Sequence, residues 1–290
     1  MVRFLLNPAA GRGSGAAHIH RLRILASRAG AGLVSSKSAA DLAEQARRAA
    51  ADGVLRLIVA GGDGTMHHVA QGLVGTGCAL GVVPLGSGND LAGTLGIPRD
   101  LDAAVERALT GPVRRMDLAR VGETWCIGYA GVGFDSEVTR FANEVKILRG
   151  RLIYPYAVLH TLATFKPPTM RIEHDQGVFE GRAMFVVAAN LPRFGGGMKI
   201  APEARIDDGL LDLVIVREVS RWALLNVFPK VYSGSHVTHP AVTLVRTARA
   251  SITLDRDMTL YGGGEPVQPA PAGVAITVEA VPGALAVIGA

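Results

Sequence analysis

An open parallel α/β domain followed by an antiparallel β-sandwich-like domain is the fold this sequence predicts, and three features predict it. Over residues 1–118, short apolar runs alternate with Ala-rich stretches at helical spacing. Over 119–290, the texture changes to many short strand-like runs separated by turn residues. Three of the early apolar runs end in Gly-rich loops that lead into helical stretches. If their strands are parallel, these loops share the carboxyl edge of one sheet, where open α/β folds bind ligands.

Each element has its own warrant. Residues 2–6, 55–60 and 80–83 are apolar runs of strand length. Residues 39–51 read as a helix, with Leu42, Ala46 and Ala49 on one face and Arg47 and Arg48 toward solvent. Residues 101–109 read as another, ended by Gly111-Pro112. Asp90 stands where a cap should precede the short helix 91–95. Strands are expected over 125–130, 170–174, 179–189, 210–216, 242–246, 251–254, 258–261 and 274–278. Two helical segments interrupt them, 136–165 (broken near Gly150) and 221–232.

The loop Gly61-Gly62-Asp63-Gly64-Thr65 is the most informative stretch. Its glycines let bare N–H groups approach a bulky anion at a helix N-terminus, where unpaired amides and the helix dipole favour negative charge. The loops Asn7-Pro8-Ala9-Ala10-Gly11 and Pro84-Leu85-Gly86-Ser87-Gly88-Asn89-Asp90 repeat the pattern. None carries the Gly-Lys-Ser/Thr of a Walker A loop. Asp63 has two readings, an N-cap for its helix or a group that orders metal or water beside phosphate. His67 and His68 do not form a metal pair, because adjacent helical residues diverge by about 100° and no i,i+4 ligand accompanies them.

Composition narrows the classes. With 290 residues, 49% hydrophobic and 19% charged, the chain is expected to bury real cores rather than remain disordered. No apolar run reaches the about 18–20 residues that span a bilayer. Cys78 and Cys126 fit no zinc or CxxC pattern and suit a reducing compartment. A net charge of +5 favours anionic partners, but no basic run with interleaved aromatics points to nucleic acid.

Taken together, Asn7-Pro8 with Gly11, Gly61–Thr65, Pro84–Asp90, Gly131-Val132-Gly133-Phe134-Asp135, Asp207-Asp208-Gly209-Leu210-Leu211-Asp212 and Glu265-Pro266-Val267 resemble the diacylglycerol kinase-like lipid kinases. That family is related to sphingosine kinases and NAD kinases. The resemblance spans nearly the whole chain and implies a nucleotide-binding domain over 1–118, a β-rich domain over 119–290, and an active site between them. It implies ATP and Mg²⁺ as cofactors and a lipid hydroxyl such as that of diacylglycerol as acceptor. The lipid would be reached peripherally at an anionic membrane surface, from the cytoplasm at the inner face. A homodimer is compatible with it; nucleic acid is not an expected partner.

Residue by residue, the resemblance implies nucleotide contacts from Asn7, Pro8, Gly11, Gly61, Gly62, Asp63, Gly64, Thr65, Ser87 and Asn89, with Ser35 or Ser36 at the end of the second strand. It implies a structural Mg²⁺ held by Asp208 and the carbonyls of Arg205 and Leu210; on residue type alone the same segment is a type I turn. Catalysis would fall to Glu265 as proton acceptor, with Asp63. Relatives typically carry Asp-Gly-Glu where this chain reads Gly263-Gly264-Glu265, and Glu where it has His68. Loss of catalysis, leaving a nucleotide- or lipid-binding pseudokinase, is therefore a rival reading, as is a kinase of a soluble NAD-like substrate. Phe134, Phe141, Ile147, Tyr154, Tyr156, Leu159 and Phe165 read either as core or as an acyl-chain groove.

Overall fold

The computed structural model describes residues 1–144 and 153–289. The first strand, β1 (Val2–Leu6), buries Phe4, Leu5 and Leu6. A 3₁₀ segment, Ala10–His18, leads into α1 (Ile19–Arg28) and then β2 (Leu33–Ser35). Helix α2 (Ala39–Ala51) begins where the Ser38 hydroxyl accepts from the Asp41 N–H, and buries Leu42, Ala43, Ala46 and Ala49. Then come β3 (Arg56–Gly61), α3 (Asp63–Leu73), β4 (Ala79–Pro84), α4 (Asp90–Thr94) and α5 (Leu101–Thr110). Strand β1 lies parallel between β2 and β3, and β3 is parallel to β4. All their following loops therefore leave at the same edge.

The second half opens with β5 (Val113–Val121), β6 (Thr124–Cys126) and β7 (Tyr129–Gly133). The single strand expected over 125–130 is thus two, with the chain bending at Ile127-Gly128. There the Gly128 carbonyl accepts from the Asn190 and Leu191 N–H groups, and the buried Asn190 amide donates to the carbonyls of Asp117 and Ile127. Helices α6 (Phe134–Glu144) and α7 (Ile153–Thr164) lie where 136–165 was expected, and the anticipated break near Gly150 falls outside the described residues.

Strands β8 (Thr169–His174), β9 (Gly177–Ala189) and β10 (Leu211–Arg217) come next, then α8 (Arg221–Val227), α9 (Lys230–Ser233), β11 (Val242–Thr247), β12 (Arg249–Leu254), β13 (Met258–Gly262) and β14 (Glu265–Ala270). The start of β9 pairs with β8 and its end with β7 and β10, so one strand serves two sheets.

Turn signals predict a last strand over 274–278, but β15 runs from Ile276 to Ile288. It pairs antiparallel with β12 and β5, and Val287 reaches Leu80 of β4 in parallel. Pro282 and Gly283 (φ +59°) interrupt its period at a bulge, which hides a strand of that length from pattern reading. The result is the expected architecture, an N-terminal α/β layer and a β-sandwich-like second half. One core lies between the first sheet and α1–α5, a second between the β layers, and a third under α6–α9.

Candidate active site

The site begins with close main-chain packing. A Cβ on Gly61 would collide with the Thr65 side chain at 2.5 Å, and one on Gly86 would stand 2.7 Å from the Gly62 Cα. The second and third loops therefore touch backbone to backbone. A Cβ on Gly11 (φ +60°) would come within 2.5 Å of the Leu85 carbonyl, which presses the first loop onto the third. Asn7 braces the set: its Oδ1 accepts from the Ala9 N–H (3.0 Å) and its Nδ2 donates to Thr65 Oγ1 (2.9 Å).

Around these loops lies a cavity of about 530 Å³, lined in part by Asn7, Pro8, Gly62, Gly64, Thr65 and Glu265. Ser36 lines it and Ser35 does not, because successive residues at a strand end face opposite ways. Lys37 also lines it and was not anticipated; the only signal was a polar Ser-Lys-Ser between a strand and a helix. Asn89, an expected nucleotide contact, is bonded within its own loop. At φ +55° it folds back, accepting from the Gly86 N–H (2.8 Å) and donating to the Gly86 carbonyl (2.6 Å), so it shapes its own loop.

A second cavity, about 490 Å³, opens between the two halves. Asp63, His67, Ser87 and Asp90 supply its polar wall; Met66, Leu91, Ile127, Leu191 and the stacked rings of Tyr129 and Phe194 supply its apolar wall. Ser87 thus faces this cavity rather than the first.

Neither Asp63 nor Asp90 caps its own helix. The N-cap of α3 is Gly62, with no side-chain bond; Asp63 Oδ1 instead accepts from the Leu91 N–H of α4 (3.2 Å). Asp90, expected as the cap of α4, is buried, and the cap position is Asn89. The Asp90 carboxylate accepts from the Gly196 (3.0 Å) and Gly197 (2.9 Å) N–H groups, clamping a loop of the second half to the first. Burial pushes its pKa up; the Gly196 amide partly offsets this, and the nearby Asp63 charge adds to it.

The hairpin carrying Glu265 closes between the cavities. Gly262 pairs with Glu265, and Gly263 (φ +62°) and Gly264 (φ +87°) are its two central residues, both with the positive φ that a type I′ turn requires. Gly263 and Gly264 line the second cavity while Glu265 lines the first. A Cβ on Gly263 would stand 3.0 Å from His67 Nδ1. That nitrogen is buried without a hydrogen-bond partner among the described residues. Burial, reinforced by the neighbouring His68, holds the His67 pKa down to about 4, so its ring is neutral at physiological pH.

The Arg205–Leu210 segment is a turn around Gly209 (φ +76°). The buried Asp117, unforeseen from sequence, accepts from the Gly209 (2.6 Å) and Gly283 (2.7 Å) N–H groups and fixes it. Asp208 pairs with Arg246 through Oδ2, and its Oδ1 accepts from the Leu210 N–H (3.1 Å). Nearby Asp212 is buried, its Oδ1 has no partner among the described residues, and desolvation pushes its pKa up to about 6, with Arg246 opposing and Asp208 reinforcing. An orphaned carboxylate oxygen beside Asp208 is a donor that a hard cation would satisfy.

Of the aromatic residues considered for an acyl groove, Phe134 is core, and Phe141 and Phe165 pack against that core half-buried. Tyr156 and Leu159 are exposed. Ile147 and the side chain of Tyr154 lie outside the described residues.

Comparisons with known proteins find relatives along the whole chain. Residues 1–121 match the diacylglycerol kinase catalytic domain, and residues 128–289 match the YegS C-terminal NAD kinase beta sandwich-like domain. A diacylglycerol kinase of Mycobacterium tuberculosis is 32% identical, covering 99% of this chain and 94% of that protein. One from Bacillus subtilis is 30% identical over 271 residues, 91% of this chain and 89% of the relative. A crystal structure of a diacylglycerol kinase from Bacillus anthracis superposes with a TM-score of 0.80 at 23% identity, covering 100% and 96% of the two chains. Yeast NADH kinase complexed with NADH gives 0.53 at 11% identity, covering 100% and 83%, a likeness of fold alone. The chain belongs to the diacylglycerol kinase-like bacterial lipid kinase family.

Proposed function

We propose that this protein transfers the γ-phosphoryl group of ATP, with Mg²⁺, to a hydroxyl of a membrane lipid, diacylglycerol being the default acceptor. The carrying observation is that two cavities of different character meet at one wall, formed by Asp63–Gly64 from one half and Gly263–Glu265 from the other. The Gly-rich loops of the first cavity offer main-chain N–H groups and Lys37 to polyphosphate. The largely apolar second cavity suits the glycerol end of a lipid. Bound ATP would supply the electrophilic phosphorus and the leaving group. Where the two cavities meet, Glu265 would take the acceptor's proton and Asp63 would orient that hydroxyl.

A structural cation, separate from the one that would travel with ATP, would be held at the Asp208 turn by the Asp208 carboxylate and the carbonyls of Arg205 and Leu210, with Asp212 beside it. In this reading residues 1–118 form the nucleotide domain, 119–290 complete the site, and the protein works in the cytoplasm, peripherally at the inner membrane face.

The deciding experiment is transfer from radiolabelled ATP to diacylglycerol, sphingosine or phosphatidylglycerol in mixed micelles, with NAD as a soluble acceptor. Glu265→Gln should lower lipid turnover by roughly 10²–10⁴-fold. Equal turnover in wild type and variant would pass the base's role to Asp63. Tight ATP binding with no turnover on any acceptor would identify a pseudokinase, and transfer to NAD alone would overturn the lipid assignment.

A further inference from the structure

The helical layer over the second half exposes apolar groups that its core does not use. Trp222 of α8 is 78% exposed and Leu159 of α7 57% exposed, with Leu225, Tyr232 and Tyr156 also at the surface. Their helices meet one buried core, α7 through Ala157 and Leu162, α9 through Val231, and α8 through the partly buried Leu224. The C-terminal end of α7 and the start of α8 line one small cavity through Leu162, Phe165, Ser220 and Arg221.

Charge on α7 to α9 is one-sided, whereas α6 of the same layer carries Asp135, Glu137 and Glu144 beside Arg140. Residues 219–240 contain Arg221 and Lys230 and no carboxylate, and 153–164 contain no formally charged residue. The acid at its edge, Glu218, is engaged by Arg182 (3.4 Å).

We infer that this face, centred on Trp222, is the surface by which the protein docks on an anionic lipid bilayer. A Trp and a Tyr among aliphatic residues, rimmed by Arg and Lys, combine the apolar insertion and cationic attraction that interfacial binding uses. A second copy of the chain is a poor occupant, because a two-fold contact centred on Trp222 would bring Arg221 and Lys230 against the same cationic helices of the other copy.

The layer also adjoins the acceptor cavity. The Val231 carbonyl of α9 accepts from the Lys199 N–H, and His236 bonds the Ile200 carbonyl (3.1 Å). The same segment carries Phe194 to Gly196 on the cavity wall, with Gly196 and Gly197 clamped by Asp90. Bilayer contact at Trp222 would thus lie one loop away from the point where a lipid hydroxyl must enter. The inference rests on the lipid-kinase reading for its purpose but not for its test.

The test is co-sedimentation of the full chain with phosphatidylcholine vesicles, with and without phosphatidylglycerol, plus quenching of Trp emission by brominated lipid. Trp222→Ser should weaken vesicle partitioning by about tenfold, the scale expected for one exposed aromatic side chain that becomes buried. It should also abolish most brominated-lipid quenching. Arg221→Gln with Lys230→Gln should remove the preference for phosphatidylglycerol. Both variants should leave ADP formation with a short-chain, water-soluble diacylglycerol unchanged.

Wild-type vesicle affinity in Trp222→Ser would overturn the docking surface. So would absence of vesicle binding by the wild type, or Trp222 already shielded from acrylamide in a lipid-free dimer. Trp222-dependent binding without phosphorylation of any acceptor would sustain the surface and sink the kinase. Turnover of the soluble acceptor with no role for Trp222 at vesicles would do the reverse.

Discussion

The two cavities that meet at Asp63–Gly64 are built of different material. The loops that shape the first cavity are locked main chain to main chain, Gly62 against Gly86 and Gly11 against Leu85, and its lining adds the side chains of Ser36, Lys37, Thr65 and Glu265. The second cavity has an apolar side-chain wall from Met66, Leu91, Leu191 and the Tyr129–Phe194 stack, set among Gly88, Gly128, Gly195, Gly196, Gly263 and Gly264. A main-chain wall presents dipoles fixed by the fold, and a Cβ added there meets backbone. A side-chain wall can change its chemistry without moving a strand. In the proposed reading, phosphate recognition would depend on the locked conformation of the loops and acceptor recognition on the apolar side chains.

The hardest test of that contrast is Gly62→Val. Its Cβ would start 3.1 Å from the Gly86 Cα, and its methyl groups would fill space that phosphate oxygens need. ATP affinity should fall by at least about 100-fold, the loss of two charge-assisted hydrogen bonds, while the far-ultraviolet circular dichroism stays native. Unchanged affinity by calorimetric titration would mean that the main chain is not the recognition element.

Asp90→Asn probes the other wall and should do less. An amide oxygen can accept from Gly196 or Gly197 but cannot reproduce both charge-assisted bonds, so the 194–197 loop loosens at a cost of about 1–2 kcal/mol. Turnover with lipid should drop roughly tenfold with ATP affinity held within about twofold. A matching loss of ATP affinity would show that the two cavities are not independent.

This contrast also explains what could be read from the sequence. The three loops were legible because each is a short glycine run directly after an apolar strand, and neighbouring residues do the work. The acceptor wall was not, since Asp63, Tyr129, Phe194 and Gly263 are brought together only by tertiary pairing. Asp90 was read as a cap because a carboxylate before a helix usually is one; its real partners lie more than a hundred residues away. Likewise β15 was cut short because Pro282-Gly283 carries turn chemistry, yet it sits in a bulge between two paired stretches. Asp117 gave no local signal at all, being one buried acid in an otherwise ordinary strand.

A smaller effect is expected away from both cavities, at the Asp208 turn. Asp208→Ala removes the partner of Arg246 whatever the buffer, and removes a cation donor only where Mg²⁺ is present. Thermal unfolding should therefore show a deficit a few degrees larger with Mg²⁺ than with chelator, as ligand linkage requires. Equal deficits would reduce the segment to a turn held by Asp117.

The smallest expected change, Gly263→Asp, tests whether the side-chain wall can gain function without disturbing the main-chain one. The backbone should accept it: position 263 sits at φ +62° in a two-residue hairpin turn, a conformation that Asp adopts more readily than most residues. The constraint is His67, whose Nδ1 would lie 3.0 Å from the new Cβ and must yield by a few tenths of an ångström. That same nitrogen has no partner now, so a carboxylate beside it would satisfy it and favour the imidazolium. The His67 pKa should rise from about 4 toward its ordinary value, which NMR titration would report. The sign for stability follows. In wild type, the unfolded chain takes up the His67 proton first as pH falls, so stability present above about 6.5 is lost as pH drops toward 4. In Gly263→Asp that acid loss should shrink, because the folded state then holds the proton too. The new charge would also raise the proton affinity of nearby Glu265, making it a better acceptor, and lipid turnover should rise about three- to tenfold with ATP affinity unchanged. A raised His67 pKa with unchanged turnover would separate the two effects, leaving position 263 coupled to His67 but not to the base.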